Sequence, residues 1–287
     1  MQQTFKKVVA TTLGLALILT MILFIMPVQT ANADTVVWEK VDYKNYLKSD
    51  PLYTDGAGAY YGNVNEIPYF RQFNYLYIFA VGGGGMGGSS ADGNPGYGGG
   101  AGAFCVVKIN LRMIESIHII YNTGGGKFES AFPNEFESGS GGGTGILTTV
   151  LRDAPNYGSD IDAIVLEGGR PGSSTTPGRG GNHQYTNKRN SINIIHVNSG
   201  ADGGQASHSF SVDLGFRTEH FIYRPMGAYP SGKGGGASVY HRGGDGGVMF
   251  KNGSDGVMGA GGGGAGKGAT QGGFGGDGYV EVYGSNM

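Results

Sequence analysis

The chain has 287 residues with 20 basic and 22 acidic side chains, so it lacks the positive footprint that nucleic-acid binding requires. Glycine is the outlier at 59 residues, about three times its ordinary share of roughly 7%. Such a composition usually marks disorder or a repetitive solid, yet 17 Tyr and 14 Phe supply the large apolar side chains that disordered tracts lack.

The first 33 residues read as a leader. Lys6 and Lys7 are followed by an uncharged run from Val8 to Met26, and Pro27 precedes the small-x-small pattern Ala31-Asn32-Ala33, which predicts a secretory signal peptide cut before Asp34. The apolar run is also near the length that spans a bilayer, so a retained single-pass anchor over residues 8–26 is the alternative. Either way the remainder is expected to be secreted or displayed at the cell surface. Loss of the leader removes two lysines and no acid, taking the net charge from −2 to −4.

Residues 34–68 contain the only tryptophan, Trp38, and few glycines; they read as an N-terminal arm or first strand layer. A glycine-rich domain over 69–287 follows. Its apolar runs are Phe73 to Val81, Ala103 to Leu111, Ile117 to Tyr121, Ile146 to Arg152, Ile161 to Leu166, Ile192 to Val197, Phe210 to Leu214, Phe221 to Tyr223, Val248 to Phe250 and Tyr279 to Tyr283. They are short, rich in β-branched and aromatic residues and without helical period, so the expected fold class is all-β. The one cysteine, Cys105, excludes an intramolecular disulfide. It alternates with Val107, Ile109 and Leu111 onto one face, the pattern of a buried small hydrophobe.

Glycine tracts separate the strands, at 82–88, 98–102, 124–126, 139–145, around 168–181, 234–236, 259–268 and 272–278. Linkers of this composition join self-sufficient domains, whereas the pieces between these tracts are single strands, so the tracts belong inside one domain. Ordering them needs compensation for the large backbone entropy of glycine. A three-residue-per-turn polyglycine helix supplies it, because chains without side chains lie close enough to hydrogen-bond sideways. In the stretch FAVGGGGMGGSSADGNPGYGGGAGAFCV, from Phe79 to Val106, two such tracts are expected to run out and back around a tip at Ser90 to Gly96. Six Asp-Gly pairs, at Asp55, Asp92, Asp202, Asp245, Asp255 and Asp277, supply turn chemistry.

Residues 182–232 depart from this pattern. They hold four of the six histidines and read as a glycine-poor insertion or set of long loops, where a rigid scaffold carries recognition groups. Tyr185, Arg189, His196, His208, Arg217, His220, Tyr223 and Arg224 are the candidate binding residues, since aromatics and arginine dominate binding hot spots. Other chemistry is weaker. G-x-G-x-x-G matches arise about three times by chance at this glycine frequency, and GGGGAGKG at 261–268 has Gly268 where a phosphate loop needs Ser or Thr. GGFGGDGYV at 272–280 fits one calcium-binding nonapeptide, but one copy has nothing to stack on. His196, His208 and His220 are twelve residues apart, without the short pair a local zinc motif shows. No catalytic constellation, cofactor or metal site is expected.

The order YLYIFAVGGGGMGG, GYGGGAGAFCVVKINL, IHIIYNTGGG and GGFGGDGYVEVY resembles the glycine-rich domains of phage tail-fibre and other surface proteins and, more remotely, the extracellular glycine-rich domain of the anaplastic lymphoma kinase receptor family. The resemblance runs over about residues 69–283. It implies a jelly-roll-like β-sandwich with inserted polyglycine-II helices and a role in binding rather than catalysis. KINLRMIESIHII, standing where a Pro-Gly turn is expected, and the histidine-bearing stretch depart from that pattern.

The leading expectation is therefore an exported, non-catalytic recognition or adhesion module. Its partner would be a protein or glycan at a cell surface, with no nucleic acid and no membrane contact beyond residues 8–26 if these are retained; self-association is possible chemistry for such a surface. The alternatives are a structural coat, matrix or filament subunit, and a secreted hydrolase.

Overall fold

The computed structural model describes residues 37–49, 57–91, 93–122, 144–149, 161–204, 209–221 and 232–287, all within one compact unit, Val37–Met287. The leader, the tract at 124–126, most of that at 139–145, and the candidates His208, Tyr223 and Arg224 lie outside the described residues. Regular structure among the described residues is nearly all β-strand, the exceptions being one helical turn, α1 (Tyr43–Tyr46), and a 3-10 segment at Pro68–Gln72.

Two antiparallel sheets make the framework. The first has the order β1 (Trp38–Val41), β13 (Tyr279–Ser285), β4 (Tyr75–Val81), β5 (Phe104–Asn110), β10 (Ile192–Asn198). The second runs β2 (Lys48–Ser49), β3 (Ala57–Asn63), β6 (Ser116–Asn122), β7 (Thr144–Thr149), β8 (Ile161–Leu166), β9 (His183–Thr186). A separate hairpin joins β11 (Phe210–Asp213) to β12 (Thr218–Phe221). The expected apolar runs supply most of these strands. Residues 34–68 contribute β1 to one sheet and β2 and β3 to the other. Val248 to Phe250 is different: it forms an exposed turn rather than a strand.

The period of two in each strand sorts side chains between faces. Leu76, Ile78 and Ala80 of β4, Cys105, Val107 and Ile109 of β5, and Val280 and Val282 of β13 share one core with Ile117, Ile119, Ile164 and Leu166 of the second sheet. Cys105 is fully buried there, and burial pushes its thiol far above the ordinary range. The other face of the first sheet is covered too. Tyr77, Phe79, Val81, Phe104 and Val106 pack with Val212 and Leu214 of the hairpin. That double coverage explains why YLYIFAV has no polar alternate positions, since a strand buried on both faces reads as a continuous apolar run.

The described part of the glycine-poor stretch is woven into this framework rather than standing apart from it: β9 pairs with β8, β10 with β5, and the β11–β12 hairpin lies on the outer face of the first sheet. Asp162 anchors the crossover from β9 to β10. It is fully buried and accepts from the Ser191 hydroxyl (2.6 Å), the Ser191 amide (2.7 Å) and the Arg189 amide (2.9 Å). Burial alone would raise its pKa, but these donors outweigh burial and hold it below the usual carboxylate value.

The glycine tracts continue from the strand ends and bond to one another. Gly82, Gly85 and Gly88 donate to Ala103, Gly100 and Tyr97 at 2.7–2.8 Å, so the segments on either side of the turn at 90–96 run antiparallel. Ala91 and Asn94 exchange backbone bonds at the tip, where Gly93 has φ +75°. Each neighbour is met again every third residue, so successive amides point to different sides of the segment. Residues 96–103 donate to segments at 259–265, 167–173 and Ala201, and accept from 82–88, 233–236 and 178–181. Residues 259–266 are enclosed likewise, donating to 85–88, 233–236 and 251–254 and accepting from 96–102, 244–247 and 273–276. Packing this close leaves no room for side chains: a Cβ on Gly99 would lie 2.1 Å from the Gly85 carbonyl oxygen.

Candidate functional site

The outer face of the first sheet is built by strand alternation and register. Trp38 of β1, Tyr75, Tyr77 and Phe79 of β4, Phe104 of β5 and Tyr279 and Tyr283 of β13 project to the hairpin side, with Tyr77 opposite Tyr283 in the ladder. Trp38 stacks on Tyr283 at 4.7 Å and 7° and meets Phe216 at 5.1 Å. Glu281 lies among these rings, receiving the Lys40 ammonium (2.5 Å) and the Tyr279 hydroxyl (2.9 Å). Lys108 caps the Tyr75 ring at 3.9 Å. The Tyr77 hydroxyl donates to the carbonyl of Met287 at 3.0 Å, and burial pushes its pKa up to about 12.

Three of the expected binding residues meet at this hairpin. Arg217, in the turn between β11 and β12, places its guanidinium 5.2 Å from the Trp38 ring and pairs with Glu219 at 2.6 Å. His220 lies opposite Ser211 in the ladder, and its Nδ1 is 2.8 Å from the Ser211 hydroxyl. His196 comes from β10 and stacks on Phe210 at 4.3 Å and 14°. Its Nε2 is buried with no hydrogen-bond partner among the described residues, and burial lowers its pKa, which favours the neutral ring. His196 is therefore a part of the packing, whereas Arg217 and His220 are exposed.

Tyr185 and Arg189 belong to a second place, β9 and the crossover after it. Tyr185 is 60% exposed, and the Arg189 side chain is exposed while its amide is tied to Asp162. Sequence reasoning passed over Trp38, Tyr75 and Tyr283 as site residues; period-two alternation of aromatics in YLYIFAV and YVEVY signalled the two tyrosines, whereas WEKV carries no such signal for Trp38. Arg217 thus forms a cation–π contact with Trp38, while the exposed His220 bonds Ser211 on the same hairpin.

Two open grooves lie elsewhere. One of about 650 Å³ is lined by Asn63, Glu66, Arg71, Arg112 and Glu115, and one of about 320 Å³ by Asp255, Val257, Met258 and Phe274. Residues 261–268, the nearest match to a phosphate loop, form part of an enclosed extended tract that no helix follows. Among the described residues no group of His, Cys, Asp and Glu is arranged to hold a metal. No known protein family matches any part of the chain, and no curated protein is significantly similar to it.

Proposed function

We propose that this chain is an exported, non-catalytic recognition or adhesion module, a jelly-roll-like β-sandwich whose tracts form a bundle of polyglycine-II helices. The observation that carries the reading is the enclosure of residues 96–103 and 259–266 by hydrogen-bonded neighbours met every third residue. A three-fold extended helix has that repeat, whereas an antiparallel β-ladder returns to the same neighbour every second residue. Such an interior has no side chains to do chemistry with, so its role is to hold surfaces in place. Resemblance to glycine-rich surface domains supports the same role, and the leader supports export.

Contacts with a cell-surface protein or glycan are assigned to Tyr185, Arg189, Arg217 and His220, which are exposed on strands and tight turns. The test is binding of the exported protein to cell envelopes, compared with a variant carrying alanine at these four positions. Loss of at least tenfold in affinity, with an unchanged melting temperature, is expected on removing several hot-spot groups of about 1–2 kcal/mol each. Full binding by the folded variant would defeat the assignment. Concentration-dependent assembly in light scattering, with no binding to envelopes, would establish the structural subunit instead.

A further inference from the structure

The end of the glycine bundle remote from the sheets carries an unusual turn. Val248, Met249 and Phe250 are consecutive and 49%, 55% and 73% exposed, the longest run of exposed large apolar residues among the described residues. Phe250 has φ +64°, a left-handed conformation that bulky residues rarely adopt. It is held by a bond from its amide to the Lys267 carbonyl (2.9 Å), while the Lys251 amide closes the turn on Val248 (2.8 Å). Lysines surround the turn. Lys251 follows Phe250, Lys267 adjoins the facing segment, and Lys233 bonds through its backbone to Gly96 and Gly264 beside it. All three are exposed, and no ion pair engages any of them among the described residues. The nearest acids along this segment are occupied: Asp245 pairs with Arg242, and Asp255 accepts from the Phe274 amide. Asp92, in the adjoining 90–96 turn, lies outside the described residues, and including it leaves the formal charge of this end positive.

We propose that this end of the bundle docks on an anionic lipid surface, with Val248, Met249 and Phe250 entering the headgroup boundary and the three lysines lying over lipid phosphates. Apolar tips and basic side chains act together in interfacial binding, since insertion scales with apolar area and attraction with surface charge. A protein partner would serve the apolar residues equally well, but it does not explain three cations with no ion pair among the described residues around them, in a chain whose net charge is −2. Anionic lipid explains both. The polyglycine reading is not required; the inference stands on the turn and its lysines.

The test is co-sedimentation of the exported protein, in its naturally processed form, with vesicles of phosphatidylcholine containing about a third phosphatidylglycerol, and with phosphatidylcholine alone. A retained leader would contribute equally to wild type and variants. Two double variants are compared: Met249→Ser with Phe250→Asn, and Lys251→Glu with Lys267→Glu. Asparagine tolerates positive φ better than phenylalanine, and melting curves check that both variants fold. At least about a tenfold preference for the anionic vesicles is expected, lost in both variants and weakened by salt for the wild type. Equal sedimentation of wild type and folded variants overturns the proposal. So does wild-type binding that ignores phosphatidylglycerol. Variants that keep vesicle binding but lose capture by a purified envelope protein would make the end a protein-docking site, and tip-dependent self-association without lipid would make it an interface between copies; each replaces the lipid assignment.

Discussion

Phe250, Asp162 and His196 show how individual residues trade stability for position. Phe250 holds a bulky side chain at positive φ in solvent, and relieving such strain is worth about 1 kcal/mol or more. Phe250→Asn is therefore expected to raise the midpoint of urea unfolding, the reverse of what removing a core phenylalanine does. Asp162 is the opposite case, a buried carboxylate supplied with donors. Asp162→Ala leaves those donors without their acceptor and is expected to cost about 2–4 kcal/mol. Because the folded-state pKa lies below the unfolded value, its contribution is fully present above about pH 5 and is lost as pH falls through the depressed value. His196 adds a separate acid-side term. Its folded-state value is also depressed, so the unfolded chain takes up the proton first, and stability declines as pH drops below the ordinary histidine value of about 6.5. His196→Phe should flatten the stability profile in that window, as read from melting temperatures between about pH 7 and 5.

At the level of elements, the tracts are the part whose behaviour departs most from ordinary secondary structure. The enclosed tracts accept a methyl group at Ala101, Ala103, Ala260 and Ala265, but not where a glycine faces a neighbouring backbone. Gly99→Ala would put its Cβ 2.1 Å from a neighbouring carbonyl oxygen and is expected to destabilise by about 3 kcal/mol or more, through backbone displacement. Gly204 provides the contrast. Its φ is +83° with nothing within 4 Å of a built Cβ, so Gly204→Asn should change stability by no more than about 0.5–1 kcal/mol. Chemical denaturation of the two variants side by side measures the difference. The strands themselves were legible because β-branched and aromatic runs stood out against glycine. β9, with the sequence HQYT, was not: it carries no apolar alternation and is a strand because β8 offers it an edge. Val248 to Phe250 misled in the other direction, since three apolar residues satisfy a strand pattern locally while no sheet edge lies beside them.

For the whole molecule, the decisive feature is that the first sheet is covered on both faces. The stretch at 182–232 supplies β9, β10 and the hairpin that shields Tyr77, Phe79 and Phe104. Deleting it would remove an edge strand from each sheet and expose an aromatic face, so the shortened protein is expected to be insoluble, as judged by its partition between pellet and supernatant. Hydrogen exchange should report the same organisation. Amides of 96–103 and 261–265 are enclosed and are expected to exchange only through global unfolding, while those of Val248 and Met249 exchange freely, within the range that separates core from surface openings.

The all-β class, the burial of Cys105 and the turn at Ser90 to Gly96 were readable from the chain, because they depend on local periodicity, side-chain bulk and turn chemistry. Which candidates share a surface was not. Arg217 meets Trp38 across a sequence separation of 179 residues, and His196 is removed from solvent only because Phe210 folds over it. Tertiary structure decided these points because a residue's partners on the far side of a sheet are set by strand order and by what covers that face. The enclosure of the glycine tracts was decided the same way: a tract specifies that its neighbours can come close, and only the packed chain determines which ones do.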